Sequence, residues 1–166
     1  RRLVGEPLAY DLQRLIGLPT PRTRFICFWI NGFPSITTEL EKPDEPFLTG
    51  NGLSTKDYLT RQSSSDGIEY VAGDVALDNF DSVWYDLNRL TSANRTEFIR
   101  TNFCYESIQH CLALVSITGN GDQNFTWNMF QHRAASDGRW RQYPWDVDAS
   151  FSTTNASAWT SLTNLH

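Results

Sequence analysis

Lysine is nearly missing: Lys42 and Lys56 are the only two among 14 basic residues. The other cations are arginines scattered along the chain, and the formal net charge is −5. No basic stripe is present to neutralise a phosphate backbone, so nucleic acid is not an expected partner. Long apolar runs are also lacking. No stretch approaches the roughly 18 residues that a bilayer-crossing helix needs, so no membrane span is expected. Neither phosphate-cradling glycine pattern occurs, the G-x-G-x-x-G turn or the P-loop. Histidine is scarce, and His110, His132 and His166 have neither metal-ligand spacing nor a place in a Ser/His/Asp arrangement. Cysteine is odd in number. Cys104 and Cys111 lie seven apart in a predicted helix, about 10 Å along its axis, which excludes a bond between them. Three buried thiols are expected, with one bridge from Cys27 left open. No repeat is visible, and no n-region or h-region of a signal peptide is retained. The chain starts at Arg1 and reads as a piece of something longer.

What is present is globular: 166 residues, 40% hydrophobic and 13% aromatic, enough for one domain with a core. The pattern predicts an α+β fold. Residues 2–16 read as an amphipathic helix whose stripe is Val4, Leu8, Leu12, Leu15 and Ile16. Gly17 stops it, and Pro19 and Pro21 keep the chain extended. Phe25 to Ile30 is a continuous apolar run, expected as a buried strand. Asn31-Gly32 is a strong hairpin signal, with a return strand over about Ser35 to Glu41. Residues 49–77 are polar and Gly/Ser-rich, expected as an irregular excursion with one short strand near Ile68 to Val71. A helix is expected from Asp81 or Ser82, with Val83, Trp84, Leu87 and Leu90 inward, then a helical turn over Asn94 to Arg100. The clearest helix spans about 103–117, with Cys104, Ile108, Cys111, Leu112 and Val115 as its stripe. Trp127 to His132 and Arg139 to Tyr143 read as a hairpin around Ser136-Asp137-Gly138. After Phe151 the chain becomes a polar tail.

The chemistry gathers between Asp122 and Asp148. If Asp146 and Asp148 lie in extended backbone, their side chains project to one side about 7 Å apart. Such oxygen ligands suit magnesium, manganese or calcium rather than zinc. Asp122, in the turn Asn120-Gly121-Asp122, is placed to accept a proton from a hydroxyl, and Asn124 and Asn128 offer carboxamide oxygens. Against this stands a plain alternative: D-x-D and N-G-D are also ordinary solvated turn sequences. Lys42, beside Glu39 and Glu41, is expected in a surface ion pair. Sequons at Asn94, Asn124 and Asn155 matter only in a secreted eukaryotic protein.

In order, G-L-P-x-P-R-T, the apolar strand, the N-G hairpin, E-K-P-D-E-P-F-L, then G-N-G-D, D-G-R-W and P-W-D-V-D resemble the spore-coat protein H (CotH) kinase family over most of residues 1–151. The resemblance implies an atypical protein-kinase-like fold. It also implies transfer of phosphate from ATP, with magnesium or manganese, to Ser/Thr hydroxyls of coat or surface proteins. Asp122 then matches the catalytic aspartate, Asp146 and Asp148 the metal-binding pair, and Asn128 a further metal-side residue. Residues 1–48 would be a portion of the nucleotide-side lobe, with Glu41 to Glu45 as hinge and Glu41 at the cofactor. Glu6 would be a helix carboxylate pairing with a phosphate-binding lysine, residues 49–80 an excursion, and 81–151 the catalytic lobe. The family's upstream β-rich segment with its lysine is not in this sequence. Residues 1–166 alone are therefore expected to bind metal without being a competent kinase. The location implied is extracellular, at a cell surface or spore coat. A non-catalytic CotH-like surface protein acting in binding or adhesion is the second reading, and a calcium-binding extracellular β-rich domain the third.

Overall fold

The computed structural model describes residues 3–63, 67–123 and 128–151. It is an α+β arrangement built on a four-stranded antiparallel sheet, with a separate two-stranded hairpin. The hairpin is β1 (Thr23–Ile30) and β2 (Phe33–Leu40), and its turn matches expectation: Asn31 and Gly32 have φ of 50° and 82°. Two consecutive left-handed residues make the two-residue turn whose twist suits paired strands. The strand is not buried, however. Trp29 is 69% and Phe33 76% exposed, and Phe25, Ile30 and Ile36 are exposed as well. The register pairs Cys27 with Ile36 and Ile30 with Phe33, so apolar residues occupy both faces of this ribbon.

The larger sheet has the order β4-β3-β5-β6. Its strands are β3 (Tyr58–Ser63), β4 (Gly67–Gly73), β5 (Met129–Arg133) and β6 (Trp140–Pro144). The polar stretch therefore supplies two of the four strands, β3 being internal, where one short strand was expected. β3 tolerates its polar residues because they are bonded: Thr60 Oγ1 donates to the Glu69 carbonyl at 2.7 Å. Gly73 has φ +94°, and a Cβ there would lie 1.7 Å from the Asp57 carbonyl oxygen, so the β3–β4 pairing requires glycine at that point.

Alternation along β3 sends Leu59 to one face and Tyr58 to the other. The first face holds Leu18, Phe47, Leu48, Leu59, Phe130 and Tyr143, with Trp145 packed against them. Phe47 and Leu48 come from α2 (Glu45–Gly50), whose N-cap Asp44 accepts from the Phe47 amide. The opposite core holds Tyr58, Phe80, Val83, Phe103 and Trp140. It is contributed by α3 (Phe80–Arg89), α4 (Ser92–Asn102) and the sheet. Trp84 of α3 has its side chain outside the described residues.

Two helices differ from their predicted stripes. In α5 (Tyr105–Thr118) the buried line is Ser107, Cys111, Leu114 and Thr118. Ser107 Oγ donates to the Gln142 carbonyl and accepts from the Gln142 amide. Hydrogen bonding to β6 rotates the helix away from the purely apolar seam. In α1 (Gly5–Leu15) the buried residues are Pro7, Ala9, Tyr10 and Gln13, while Leu15 is 81% exposed. Gln13 Nε2 donates to the Pro19 carbonyl at 2.7 Å and lies 3.4 Å from that of Pro144. Tyr10 and Ala9 pack with Val147. α1 is thus docked on the segment after β6 by its polar and small residues, not by its leucines.

The cysteines are all free: Cys27 is exposed, Cys104 half-buried and Cys111 buried, so only one of three expected buried thiols is fully so. Among the described residues no helix is long and apolar enough to cross a membrane.

Candidate functional site

The site is assembled where three ends meet: the C-terminus of α5, the end of β6, and the N-terminal turn of α1. α5 stops at Gly119, which takes the left-handed conformation (φ 61°). The chain then turns through buried Asn120, whose Oδ1 accepts from the Asp122 amide at 3.1 Å. Asp122 itself is exposed. Asn128 Nδ2 donates to the Asp122 carbonyl at 3.0 Å and to Asp122 Oδ2 at 3.1 Å. The Asn128 carbonyl accepts from the Trp145 amide at 2.8 Å, and Gln123 Nε2 donates to the Trp145 carbonyl at 2.8 Å. A small ladder of amides thereby ties Asp122 to the Trp145-Asp146 segment.

Asp146 and Asp148 are not in extended backbone, which corrects the i, i+2 geometry expected of them. Asp146 is left-handed (φ 54°, ψ 57°), and Val147–Ala149 form a 3₁₀ turn. Asn128 is left-handed too (φ 55°). Non-glycine residues in this region carry a backbone cost and concentrate at sites where the surrounding fold holds them. The carboxylates still converge electrostatically. Burial pushes the Asp146 carboxyl up, and the charges of Asp148 and Asp122 push it further, while Arg61 pulls it down. Burial also raises Glu6, and next in size come the charges of Asp146 and Asp148. Glu6 therefore lies with the acidic group. Asn124, named with Asn128 as a carboxamide donor, and the sequon at Asn155 fall outside the described residues.

Beside these carboxylates opens a cleft of about 470 Å³ lined by Leu40, Glu41, Lys42, Pro43, Arg61, Glu69, Tyr70, Val71 and Trp145. Its floor is aromatic: Trp145 packs on Phe130 with ring centroids 4.8 Å apart. Its rim is the segment after β2. Glu41 is held there by Arg22, whose Nε and main-chain amide both donate to it at 2.9 Å. Burial raises the Glu41 carboxyl, but Arg22 outweighs this and the net shift is downward. Glu39 pairs with Arg24. The neighbouring glutamates are thus matched to arginines, and Lys42 stands at the cleft instead of in the expected ion pair with them.

Among the described residues no three His, Cys, Asp or Glu side chains stand close enough to cage a cation unaided. That is compatible with magnesium, which commonly takes one or two carboxylates plus phosphate oxygens and water. The all-oxygen donor set of Asp146 and Asp148, with Asn128 and Asp122 alongside, suits such a hard ion, which would relieve the repulsion that Asp148 and Asp122 exert on Asp146.

The CotH kinase protein family description matches residues 1–164. The chain belongs to the CotH kinase family. No curated protein matches it.

Two features of this CotH-family chain escaped the sequence reading. One is Arg61, on the cleft side of β3, cross-strand from Glu69 and Phe130. Its nearest signal was the alternation Tyr58-Leu59-Thr60-Arg61, too short and polar to stand out. The other is a buried knot beneath the cleft. His132 Nε2 lies 3.0 Å from Asp57 Oδ2, and Nδ1 lies 2.7 Å from the Tyr143 hydroxyl. Asp57 also accepts from the amides of Ala135 and Ser54 at 2.9 and 3.1 Å. The network assigns the Tyr143 hydroxyl as donor to Nδ1 and Nε2–H as donor to Asp57. No Ser, Thr or Cys nucleophile takes part among these bonds, and the knot joins the start of β3 to β5 and β6.

Proposed function

We propose that this protein is a phosphotransferase of the CotH type, moving the terminal phosphoryl group of ATP to Ser/Thr hydroxyls of coat or surface proteins. The observation that carries the reading is the convergence of Asp122, Asp146, Asp148 and Glu6 beside an aromatic-floored cleft. Leu40 and Trp145 offer apolar surface to a nucleobase, and the 41–45 segment serves as the hinge over it. Residues 1–48 then belong to the nucleotide side and 81–151 to the catalytic side. Asp146 and Asp148 would hold magnesium or manganese, with Asn128 supporting them. When bound, the ion neutralises charge on the phosphates. Asp122, oriented by Asn128, would accept the hydroxyl proton of the acceptor, and its exposure leaves room for a protein chain. Positioning and charge neutralisation supply most of the rate in such transfers, so carboxylates held beside a preformed cleft are the appropriate machinery.

The test is a thermal shift with manganese and ATP together. A rise of several degrees in the wild-type protein, absent in Asp146→Ala, is expected. No shift in the intact protein would favour the non-catalytic binding reading, and a calcium-driven shift indifferent to nucleotide would favour the extracellular calcium domain.

A further inference from the structure

The β1–β2 ribbon has two outer edges, and they are not alike. Its turn holds two residues, so the flanking pair Ile30 and Phe33 carries the closing ladder bonds, and bonded and unbonded pairs alternate from there. Trp29 with Pro34, Cys27 with Ile36 and Phe25 with Thr38 are therefore the unbonded pairs, and their main-chain groups point away from the ribbon. On β2 that outer row includes Pro34, which has no N–H to offer, and Glu39 adds a charge near its end. On β1 the outer row is Phe25, Cys27 and Trp29, each with a donor and an acceptor, and β1 pairs with no described strand other than β2. These three side chains share one face with Ile36, and all four are exposed. No residue from Phe25 to Thr38 is charged. One edge of the ribbon is thus blunted against a further strand and the other is open.

An apolar strand with an open edge is a template for another strand, and β1 is complementary to itself. When two copies of β1 lie antiparallel across a two-fold axis at Cys27, Phe25 faces the partner's Trp29 and Ile26 faces the partner's Phe28. Two aromatic cross-strand pairs form, and the two outer rows meet donor to acceptor. The arginines at position 24 then stand about 20 Å apart along the strand, where their repulsion is screened. Moving the axis to Ile26 breaks both aromatic pairs and brings those arginines closer. We propose that β1 is a homodimerisation strand, through which two copies of this chain pair edge to edge into a four-stranded antiparallel sheet of order β2-β1-β1-β2. The outer edges of that sheet are the β2 strands with Pro34, so association closes at two copies. The interface is small, so the dimer is weak and reversible, and at low concentration the monomer prevails with its edge open. No residue from Phe25 to Ile30 lines the cleft, and the proposal stands apart from the phosphotransferase reading.

Sedimentation velocity of the full chain in reductant, from low to high micromolar concentration, is expected to show a monomer–dimer equilibrium and nothing larger. Cys27→Lys and Cys27→Glu each set like charges opposite one another at the two-fold, and each is expected to weaken dimerisation at least tenfold. An equimolar mixture of the two sets opposite charges there and is expected to recover the dimer as a mixed pair. Circular dichroism and melting temperature check that each variant folds. A second measurement needs no variant: in the wild type, raising the concentration is expected to slow amide exchange at Phe25, Cys27 and Trp29 and to leave Ile36 and Thr38 unchanged. A wild-type protein that stays monomeric throughout overturns the proposal, as does growth beyond two copies. So does wild-type dimerisation by either folded single variant, or a mixture of the folded variants that stays monomeric. Slowed exchange on the β2 row, or none on the β1 row, puts any contact elsewhere and overturns it as well.

Discussion

Asp57 shows how much one buried carboxylate can organise. Burial pushes its carboxyl up, but the Ala135 amide, His132 and the Ser54 amide together bring it below its ordinary value of 3.8. Three donors converge on its two oxygens, from Ser54, Ala135 and the His132 ring. Asparagine has one acceptor oxygen, and its amide would face a donor. Asp57→Asn is therefore expected to cost about 2 kcal/mol, the usual price of a buried unsatisfied donor, read as a lower urea midpoint at unchanged slope. An unchanged midpoint would mean that the knot contributes little. This cluster was invisible in the sequence because its members, Asp57, His132 and Tyr143, lie up to 86 positions apart. Asp122, Asp146 and Asp148 were legible because local chemistry marks them, the turn residues around the first and the Trp-Asp-x-Asp run around the others. Their backbone was not legible, since nothing local signals a left-handed aspartate.

At the scale of elements, the hairpin and the sheet make a contrast. β3 and β5 each have a partner on both sides and core contacts from Leu59 and Phe130. The β1–β2 ribbon has one ladder and exposed apolar residues on both faces. Two-stranded ribbons are marginal on their own. Amides of β1 and β2 are therefore expected to exchange with solvent well before those of β3 and β5 in hydrogen-exchange measurements. Equal protection would mean that something covers the ribbon in solution. The turn of this ribbon was readable from Asn31-Gly32 alone, whereas its burial was not. An apolar run states that a strand wants covering, and only the tertiary structure states whether it is covered. The converse held for β3, whose polar residues concealed an internal strand because side-chain and ladder bonds satisfy them. The faces of α1 and α5 were misplaced for a related reason. Gln13 and Ser107 are buried because each bonds to a main-chain carbonyl across the fold, a gain that apolar periodicity does not register.

Over the whole molecule two titrating groups pull in opposite directions. Glu6 and Asp146 have folded values above their ordinary ones. Their penalty is absent below the ordinary carboxylate range and complete above the raised values, so acidification relieves it. His132 is held below 6.5, chiefly by burial and only partly opposed by Asp57. Its neutral form is favoured on folding, so its contribution is complete above 6.5 and is lost as pH falls, with Asp57 following below 3.8. Magnesium held at Asp146, as proposed, would compete with protons for the first group and not for the second. The rise in melting temperature on adding magnesium is accordingly expected to be larger at pH 7.5 than at pH 5, measured against chelator at each pH. An equal or larger rise at pH 5 would place the ion elsewhere.

The ribbon also separates two properties that are usually entangled in an engineered protein. Its tip residues Trp29 and Phe33 face water, and Leu40, where β2 reaches the cleft rim, lies seven residues on from Phe33. At the rise of an extended strand that is roughly 23 Å. Colloidal behaviour and the proposed chemistry thus occupy opposite ends of one strand. Threonine at positions 29 and 33 would keep the strand propensity, quiet the adhesive end during concentration and crystallisation, and leave the cleft to be assayed as it stands.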